Sequence, residues 1–391
     1  MELSLIDIIS LLIVFVSLLL ASFLLTIKTE NYKSNLLLAL FLLVSAQDSD
    51  SIFIVRIVYP NYPAAGIFIN STLLLKLPLF YLYILSVIYA DFRLNRRHLV
   101  HAIPFLLINI LLIPRFYTRD YAGQMEFVGY GSLSDRPFEI QFSYILIHLQ
   151  IVVYFIASFL AVSKYRKLLL ENFSNATLFH YKWLFQFIMI FGILAFLATL
   201  KNLFMFIKIE WAYNYSVLIT SFIALAYIIW MVLRTMRHPE FFRGIDSKLQ
   251  LVKSLMKEEV AHQIIAIENN NPNEGIAQRV VRLKDYMSAS EPYLDPSLSI
   301  YELAKQINLP AKDLSLLINH DLNQHFFDFV NGYRINKAME ILRDPGRKEF
   351  TVLEILYEVG FNSKSSFNTA FKKYTQITPT EYRKKHLQSA A

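Results

Sequence analysis

The stretch Val352–Tyr374 decides the fold of the C-terminal part, and it reads VLEILYEVGFNSKSSFNTAFKKY. Apolar residues recur at spacings of three and four over its first eight positions, which predicts a short amphipathic helix. Gly360 then suits a tight turn with positive φ. A second helix, capped by Asn362, follows with Phe367 and Phe371 facing inward. The stretch therefore predicts two short helices joined by a tight turn, a helix-turn-helix.

The outward face of this second helix is polar, and its residue types match those that contact nucleic acid. Lysine binds phosphate or guanine, asparagine pairs with adenine, and serine contacts either. The outward residues are Ser363, Lys364, Ser365, Asn368 and Lys372. A basic tail (Lys372, Lys373, Arg383, Lys384 and Lys385) adds positive charge suited to the DNA backbone.

The same pattern occurs once before, nearer the N-terminus. A short helix with Ile300, Leu303 and Ala304 leads through the turn Leu309-Pro310 into another short helix. The long helix Phe326–Leu342 follows. Two helix-turn-helix units joined by a rigid helix can place two recognition helices in major-groove segments about 34 Å apart.

These motifs resemble those of the AraC/XylS transcription regulators. The resemblance covers about residues 280–386 and rests on Leu298–Ala304, Leu314-Ser315, Phe327–Arg334, Gly360–Phe367, Phe371–Thr375 and Thr378–Arg383. It implies double-stranded DNA as a partner, with RNA polymerase as a second one. The base-reading positions that it implies are Lys312, Ser315, Leu316 and Asn319 in the first unit and Ser363, Lys364, Ser365 and Asn368 in the second. Leu316 departs from the usual polar residue and offers only apolar contact, as with a thymine methyl group.

The N-terminal half has a different composition. Residues 1–234 hold 17 Lys or Arg and 12 Asp or Glu, whereas residues 235–391 hold 21 and 19 in a much shorter length. A charge-poor, apolar first half is typical of a membrane domain, and the second half has an ordinary soluble ratio. The chain has no cysteine, which excludes disulfides, thiol nucleophiles and cysteine-ligated metals.

Seven stretches are long and apolar enough to cross a bilayer as helices, which takes about 20 residues. They lie near Leu5–Ile27, Asn35–Val55, Ala64–Ala90, His98–Ile113, Gln141–Ser163, Trp183–Ile207 and Tyr213–Leu233. Alternate connections hold twelve Lys or Arg on one side and five on the other. By the positive-inside rule the N-terminus lies outside the cell and the C-terminal half lies in the cytoplasm. The resemblance to the AraC/XylS regulators implies that the membrane is a bacterial inner membrane. We therefore expect an all-α chain with a multi-pass membrane domain.

Three of the ionisable residues inside the predicted spans are candidates for a functional site, because charge is costly there. Asp48 and Asp50 lie in the second span and Lys76 in the third. One interpretation is that they line a ligand pocket or hold a signalling switch. The other is that Lys76 pairs with one aspartate near the outer interface for structure alone.

The boundaries follow from these features: a membrane domain at 1–234, a linker at 235–275 and a DNA-binding domain at 276–391. Within the linker, Ser247–Glu268 has an apolar stripe at helical spacing, which could pair two copies into a homodimer. The membrane half also resembles seven-span sensor modules fused to such domains in Bacteroidetes-type bacteria. The segments Pro78–Ser86 and His101–Pro104 carry that resemblance.

We expect a membrane-bound one-component sensor that recognises a small-molecule or extracellular signal and regulates transcription. No catalytic, metal or cofactor motif is present, so we expect neither an enzyme nor a cofactor or metal site. The alternative is a transporter or channel whose cytoplasmic helix-turn-helix domain senses load. The spans could also serve only as an anchor, or proteolysis could release the soluble half.

Overall fold

The computed structural model describes residues 4–27, 32–49, 57–89, 91–129, 133–174, 178–237 and 276–388. These residues form helices and turns without a β-strand, which confirms the all-α prediction. The chain divides into two compact units. Unit 1 comprises residues 1–163 and 182–247, and unit 2 comprises residues 164–181 and 248–391. The predicted linker helix Ser247–Glu268 lies outside the described residues.

The helices of the N-terminal part are long. They are α1 (Leu5–Thr26), α2 (Tyr32–Ser49), α3 (Pro63–Ser71), α4 (Lys76–Ile88), α5 (Ile103–Leu112), α6 (Tyr121–Val128), α7 (Phe138–Asn172), α8 (Leu178–Phe206) and α9 (Glu210–Arg237). Short turns of other helical types include Thr72–Leu75 between α3 and α4, Arg96–Ala102 before α5 and Ile113–Tyr117 after it.

Six helical segments among the described residues are long and apolar enough to cross a membrane. They are Leu5–Thr26, Pro63–Ile88, Arg96–Tyr117, Phe138–Asn172, Tyr181–Phe206 and Glu210–Leu233. Each coincides with a predicted span. The remaining predicted span, Asn35–Val55, begins in α2 and runs into residues outside the description, so the seventh crossing stays a prediction.

Large apolar side chains on these helices are exposed, as expected of surfaces that face lipid rather than water. On α1, for example, Phe15 and Leu19 are exposed whereas Ile13 and Leu20 are buried. The buried side packs on α2 and α9. The interior is rich in aromatic rings, and the stacked pair Phe80–Phe187 has centroids 5.1 Å apart.

Unit 2 contains seven short to medium helices among its described C-terminal residues. They are α10 (Ile276–Ser290), α11 (Ile300–Gln306), α12 (Ala311–Leu316), α13 (Phe326–Arg343), α14 (Val352–Glu358), α15 (Lys364–Thr375) and α16 (Pro379–Gln388). A wider helical turn, Leu317–Asp321, extends α12.

Two apolar cores lie side by side in this unit, and α13 contributes to both. Its first half places Phe326 and Val330 in a core with α10, α11 and α12. Its second half places Ile335 and Leu342 in a core with α14, α15 and α16. The predicted arrangement, two helix-turn-helix units joined by one rigid helix, is therefore the arrangement observed.

The end of α7 and the residues after it belong to unit 2, although the boundaries predicted from the sequence place them in the membrane domain. Phe173 forms an antiparallel bridge with Ser299, and the Ser174 amide donates to the carbonyl of Leu298 at 3.2 Å. We call residues 164–174 the docking segment.

Candidate DNA-binding surface and membrane cavity

The two helix-turn-helix units begin with the same local device. Ser299 and Glu302 form a capping box at the start of α11, and Thr351 and Glu354 form one at the start of α14. In each box the hydroxyl accepts from the backbone three residues on, and the glutamate accepts in return. These hydrogen bonds from Thr351 lower the pKa of Glu354.

The turn of the second unit depends on Gly360. Its φ is +88°, a conformation that L side chains rarely adopt. A Cβ added there would lie 2.6 Å from the carbonyl oxygen of Tyr293. Gly360 thus makes the turn and also lets the second unit approach the backbone that precedes the first.

The start of the second recognition helix, α15, differs from the prediction. Ser363, rather than Asn362, is the N-cap: its Oγ accepts from the amide of Ser366 at 3.2 Å and donates to the Ser366 hydroxyl at 2.9 Å. One residue separates the two candidates, and helix caps of either residue type are common, so the sequence signal could not distinguish them. The Ser363 hydroxyl is therefore occupied by the cap.

The rest of the predicted face is accessible. Lys364, Ser365 and Lys372 are exposed and Asn368 is half-buried on the same side of α15, while Phe367 and Phe371 are buried in the core as predicted. Neither Lys364 nor Lys372 forms an ion pair with a described residue. This face presents two free cations and an amide.

The next two residues hold α15 in position. Lys373 donates to the Asp328 carboxylate at 2.6 Å, and the Tyr374 hydroxyl donates to the Asp328 carbonyl at 2.6 Å. Because Asp328 lies in the first turn of α13, these contacts orient α15 relative to the linking helix.

The first unit has the same geometry with a less accessible face. Asn308 takes the left-handed turn conformation, with φ of +55°. On α12 and the turn after it, Leu314, Leu317 and Ile318 point into the core. The predicted base-reading residues lie elsewhere on this helix.

Those residues are largely covered. Ser315 and Leu316 are 5% and 8% exposed, and Lys312 is half-buried. Asn319 is occupied on both sides of its amide: Nδ2 donates to the Glu171 carbonyl at 3.3 Å and to the Ser315 carbonyl at 3.0 Å, and Oδ1 accepts from the Phe326 amide. Accessibility therefore distinguishes the two recognition helices.

Arg334 is a residue of importance that sequence reasoning passed over. It is fully buried, and its guanidinium donates to the carbonyls of Tyr293 (2.6 Å) and Asp295 (2.7 Å) and to the Ser174 Oγ (3.1 Å). Burial lowers the pKa of Arg334 to about 10. Its guanidinium carbon also lies 5.6 Å from the centre of the Phe361 ring. The Arg334 side chain thus contacts the docking segment and residues of both helix-turn-helix units.

In unit 1, Lys76 donates to the Asp48 carboxylate at 2.7 Å, and Asp50 lies outside the described residues. Beside Asp48, the Gln47 amide donates to the Ile69 carbonyl at 2.6 Å. The ion pair borders an internal cavity of about 330 Å³ that is also lined by Lys201. The structure therefore brings together the two described residues of the predicted membrane site and adds a cation.

Comparison with known proteins agrees with the architecture of unit 2. Residues 303–385 match the family model of a helix-turn-helix domain. The uncharacterized HTH-type transcriptional regulator YdeC of Bacillus subtilis is 29% identical over 103 residues, which are 26% of this chain and 34% of that protein. The uncharacterized transcriptional regulatory protein YesN of the same organism is 33% identical over 93 residues, 23% of this chain and 25% of that protein.

Among solved structures, the C-terminal domain of the two-component response regulator yesN from Fusobacterium nucleatum is 29% identical, with a TM-score of 0.24. The alignment covers 28% of this chain and 99% of that one. The chain spans a third or less of the length of the two Bacillus relatives it matches. These relatives are described as transcription regulators, and the matches support a helix-turn-helix domain at the C-terminus.

Proposed function

We propose that this protein is a membrane-bound one-component transcription regulator, which recognises a signal through its apolar half and binds specific DNA through its C-terminal domain. The observation that carries the proposal is the exposed polar face of α15, held in a helix-turn-helix and flanked by free lysines. Such a face matches the major groove in shape and in hydrogen-bonding groups.

On this proposal, Asn368 and Ser365 contact base edges while Lys364 and Lys372 contact bases or phosphates. In the first unit Lys312, Ser315, Leu316 and Asn319 contribute once they are uncovered. The apolar helices span the bacterial inner membrane with unit 2 in the cytoplasm, in agreement with the distribution of Lys and Arg in the loops.

The signal acts through unit 1. A ligand can shift an equilibrium between two conformations only by its difference in affinity for them. We assign the cavity beside Asp48 and Lys76 as the place where that ligand binds, because it combines apolar walls with a few charged groups.

The test uses full-length protein in lipid nanodiscs and selection from random double-stranded DNA at several salt concentrations. Enrichment of a short box that Asn368→Ala weakens, together with a promoter response lost when the spans are scrambled, would support the proposal. If the protein enriched no DNA sequence, this result would contradict the proposed sequence-specific DNA binding. A response that survives scrambling of the spans contradicts membrane sensing.

A further inference from the structure

We infer that the cavity in unit 1 takes a small anionic amphiphile, a carboxylate with a linear apolar body; this inference deepens the sensing site of the proposed function and rests on it. Three charged groups line the cavity: Asp48, Lys76 and Lys201. Asp48 is paired with Lys76, and Lys201 forms no ion pair with any described residue. Lys201 also interacts electrostatically with Asp48, but the described lining residues together still have one cation in excess, which favours an anion.

The shape of the cavity indicates a linear ligand. Its lining on α9 runs from Tyr213 to Met231, about 27 Å of helix. The charged groups lie near the ends of α2 and α8, and apolar residues such as Phe41 and Phe191 line the wall as well. A volume of about 330 Å³ lies within the range of pockets that hold small organic ligands.

Two hydroxyl groups in the wall have no hydrogen-bond partner among the described residues. Tyr227 is 6% exposed, and neither its Oη nor the buried Oγ1 of Thr220 forms a hydrogen bond with a described residue. Buried polar atoms are nearly always paired, so an orphaned pair on one cavity wall points to a bound molecule.

The probe is labelled decanoate, added to the full-length protein in zwitterionic nanodiscs. We expect saturable binding that weakens about tenfold in Lys201→Gln, the loss of one charged contact, and remains unchanged in Lys208→Gln, an exposed lysine paired with Asp135 outside the cavity. Equal binding of decanol and decanoate, or equal effects of the two variants, would overturn the anion assignment. Displacement of decanoate by phosphatidylglycerol in the nanodisc would overturn the carboxylate assignment in favour of an anionic lipid headgroup, whereas the absence of displacement supports a free carboxylate. Binding that leaves DNA selection unchanged contradicts the sensing role and not the site.

A second, independent observation concerns the first recognition helix. The geometry points to competition between DNA and the docking segment for the face of α12 that carries Ser315, Leu316 and Asn319. Leu316 is buried but lies outside the apolar core of its own domain. One turn further on, Asn319 donates to the carbonyl of Glu171.

The docking segment belongs to unit 2 and has several buried side chains. Tyr165, Leu168 and Ser174 are buried, and Ser174 bonds through its amide and its hydroxyl to the Leu298 carbonyl, at 3.2 and 2.6 Å. Asn319 also bonds Ser315 and Phe326 within its own domain, so departure of the segment frees only the N–H that Asn319 donates to the Glu171 carbonyl. On this inference, the first unit reads DNA after that contact is broken.

The absence of cysteine makes a clean test possible. Phe173 and Ser299 form an antiparallel bridge, in which Cα atoms lie about 4.5–5.5 Å apart, within the range of a disulfide. Neither residue is among the proposed DNA contacts. The double variant Phe173→Cys/Ser299→Cys would therefore lock the segment in place when oxidised.

In nanodiscs, we expect the oxidised double variant to bind a two-box DNA at least about tenfold more weakly than the same protein after reduction. Each single-cysteine variant should be insensitive to reductant. Equal affinities of the oxidised and reduced forms, with the disulfide verified by mass spectrometry, would overturn the competition. A reduced form that selects no DNA at all would instead overturn the proposed output.

Discussion

The guanidinium of Arg334 donates a hydrogen bond to the Ser174 hydroxyl across 3.1 Å, although the two residues are 160 positions apart in the chain. Arg334 lies on the helix that joins the two helix-turn-helix units, and Ser174 lies between two of the apolar helices. The same guanidinium bonds the carbonyls of Tyr293 and Asp295. A buried cation therefore connects the docking segment with the centre of the DNA-binding domain.

Replacing Arg334 tests how much its side chain contributes to the stability of unit 2. In Arg334→Met the carbonyls of Tyr293 and Asp295 would stay buried without donors, and we expect unit 2 to lose about 3 kcal/mol of stability. Hydrogen-exchange mass spectrometry of the full-length protein would measure it in peptides from 276–388. Lys348→Met, at an exposed position, should change exchange little. Equal protection in the two variants would contradict the role of Arg334.

Substitution of Gly360 tests the packing between the two helix-turn-helix units. In Gly360→Ala the new methyl group would lie 2.6 Å from the Tyr293 carbonyl at a positive φ, so we expect a loss of about 2 kcal/mol or more in unfolding free energy. The matched control is Gly346→Ala, where the nearest atom is 3.2 Å away in the flexible Asp344 side chain. Both variants can be compared by the same exchange measurement, and similar losses would argue against a special role for Gly360.

Substitutions of Ser363 and Ser365 should separate effects on the folding stability of unit 2 from effects on DNA recognition. Ser363→Ala removes the N-cap of α15 and should cost about 1 kcal/mol. Ser365→Ala, at an exposed position, should leave stability within about 0.5 kcal/mol and weaken DNA binding. Urea unfolding of unit 2 and DNA titration of both variants measure the two effects. If Ser365→Ala destabilised the unit more than Ser363→Ala, the cap assignment would be wrong.

Asn368 and Lys372 are expected to affect DNA binding in different ways. Asn368→Ala should relax base preference at one position, at a cost of about 1–3 kcal/mol on the preferred site. Lys372→Ala should weaken all sequences alike and reduce the salt slope by about one. Titration of matched and mismatched duplexes at several salt concentrations distinguishes them. Lys348→Ala, at an exposed position outside α15, is the control for lost charge.

The acid stability of unit 2 should depend on Glu291. Hydrogen bonds from Lys337 and Tyr293 hold the pKa of Glu291 below its ordinary value of 4.5. The folded state therefore binds this proton less readily than the unfolded chain, so the contribution is complete above pH 4.5 and is lost as the pH falls through the lowered pKa. Glu291→Gln should flatten this part of the acid limb in thermal unfolding measured from pH 6 to about 3. An unchanged pH dependence would show that the pair contributes nothing.

Much of the fold could be predicted because its signals are local. The apolar periodicity of Val352–Val359, the glycine at 360 and the inward Phe367 and Phe371 lie within one stretch, and each acts on neighbouring backbone. The apolar spans are equally readable, since a helix in lipid must satisfy its own backbone polar groups. Six of these spans have matching helices among the described residues.

The accessibility of each predicted site residue depended on contacts that are distant in the chain. The sequence puts polar residues on the faces of α12 and α15 alike, but Ser315 is buried whereas Lys364 and Ser365 are exposed. The contact between Asn319 and the Glu171 carbonyl joins residues 148 positions apart, which no local pattern predicts. Similarly, no spacing rule joins Lys201 to the pair formed by Asp48 and Lys76. Local patterns encode helices, caps and turns, whereas the partner of a buried polar group is chosen by packing among elements far apart in sequence.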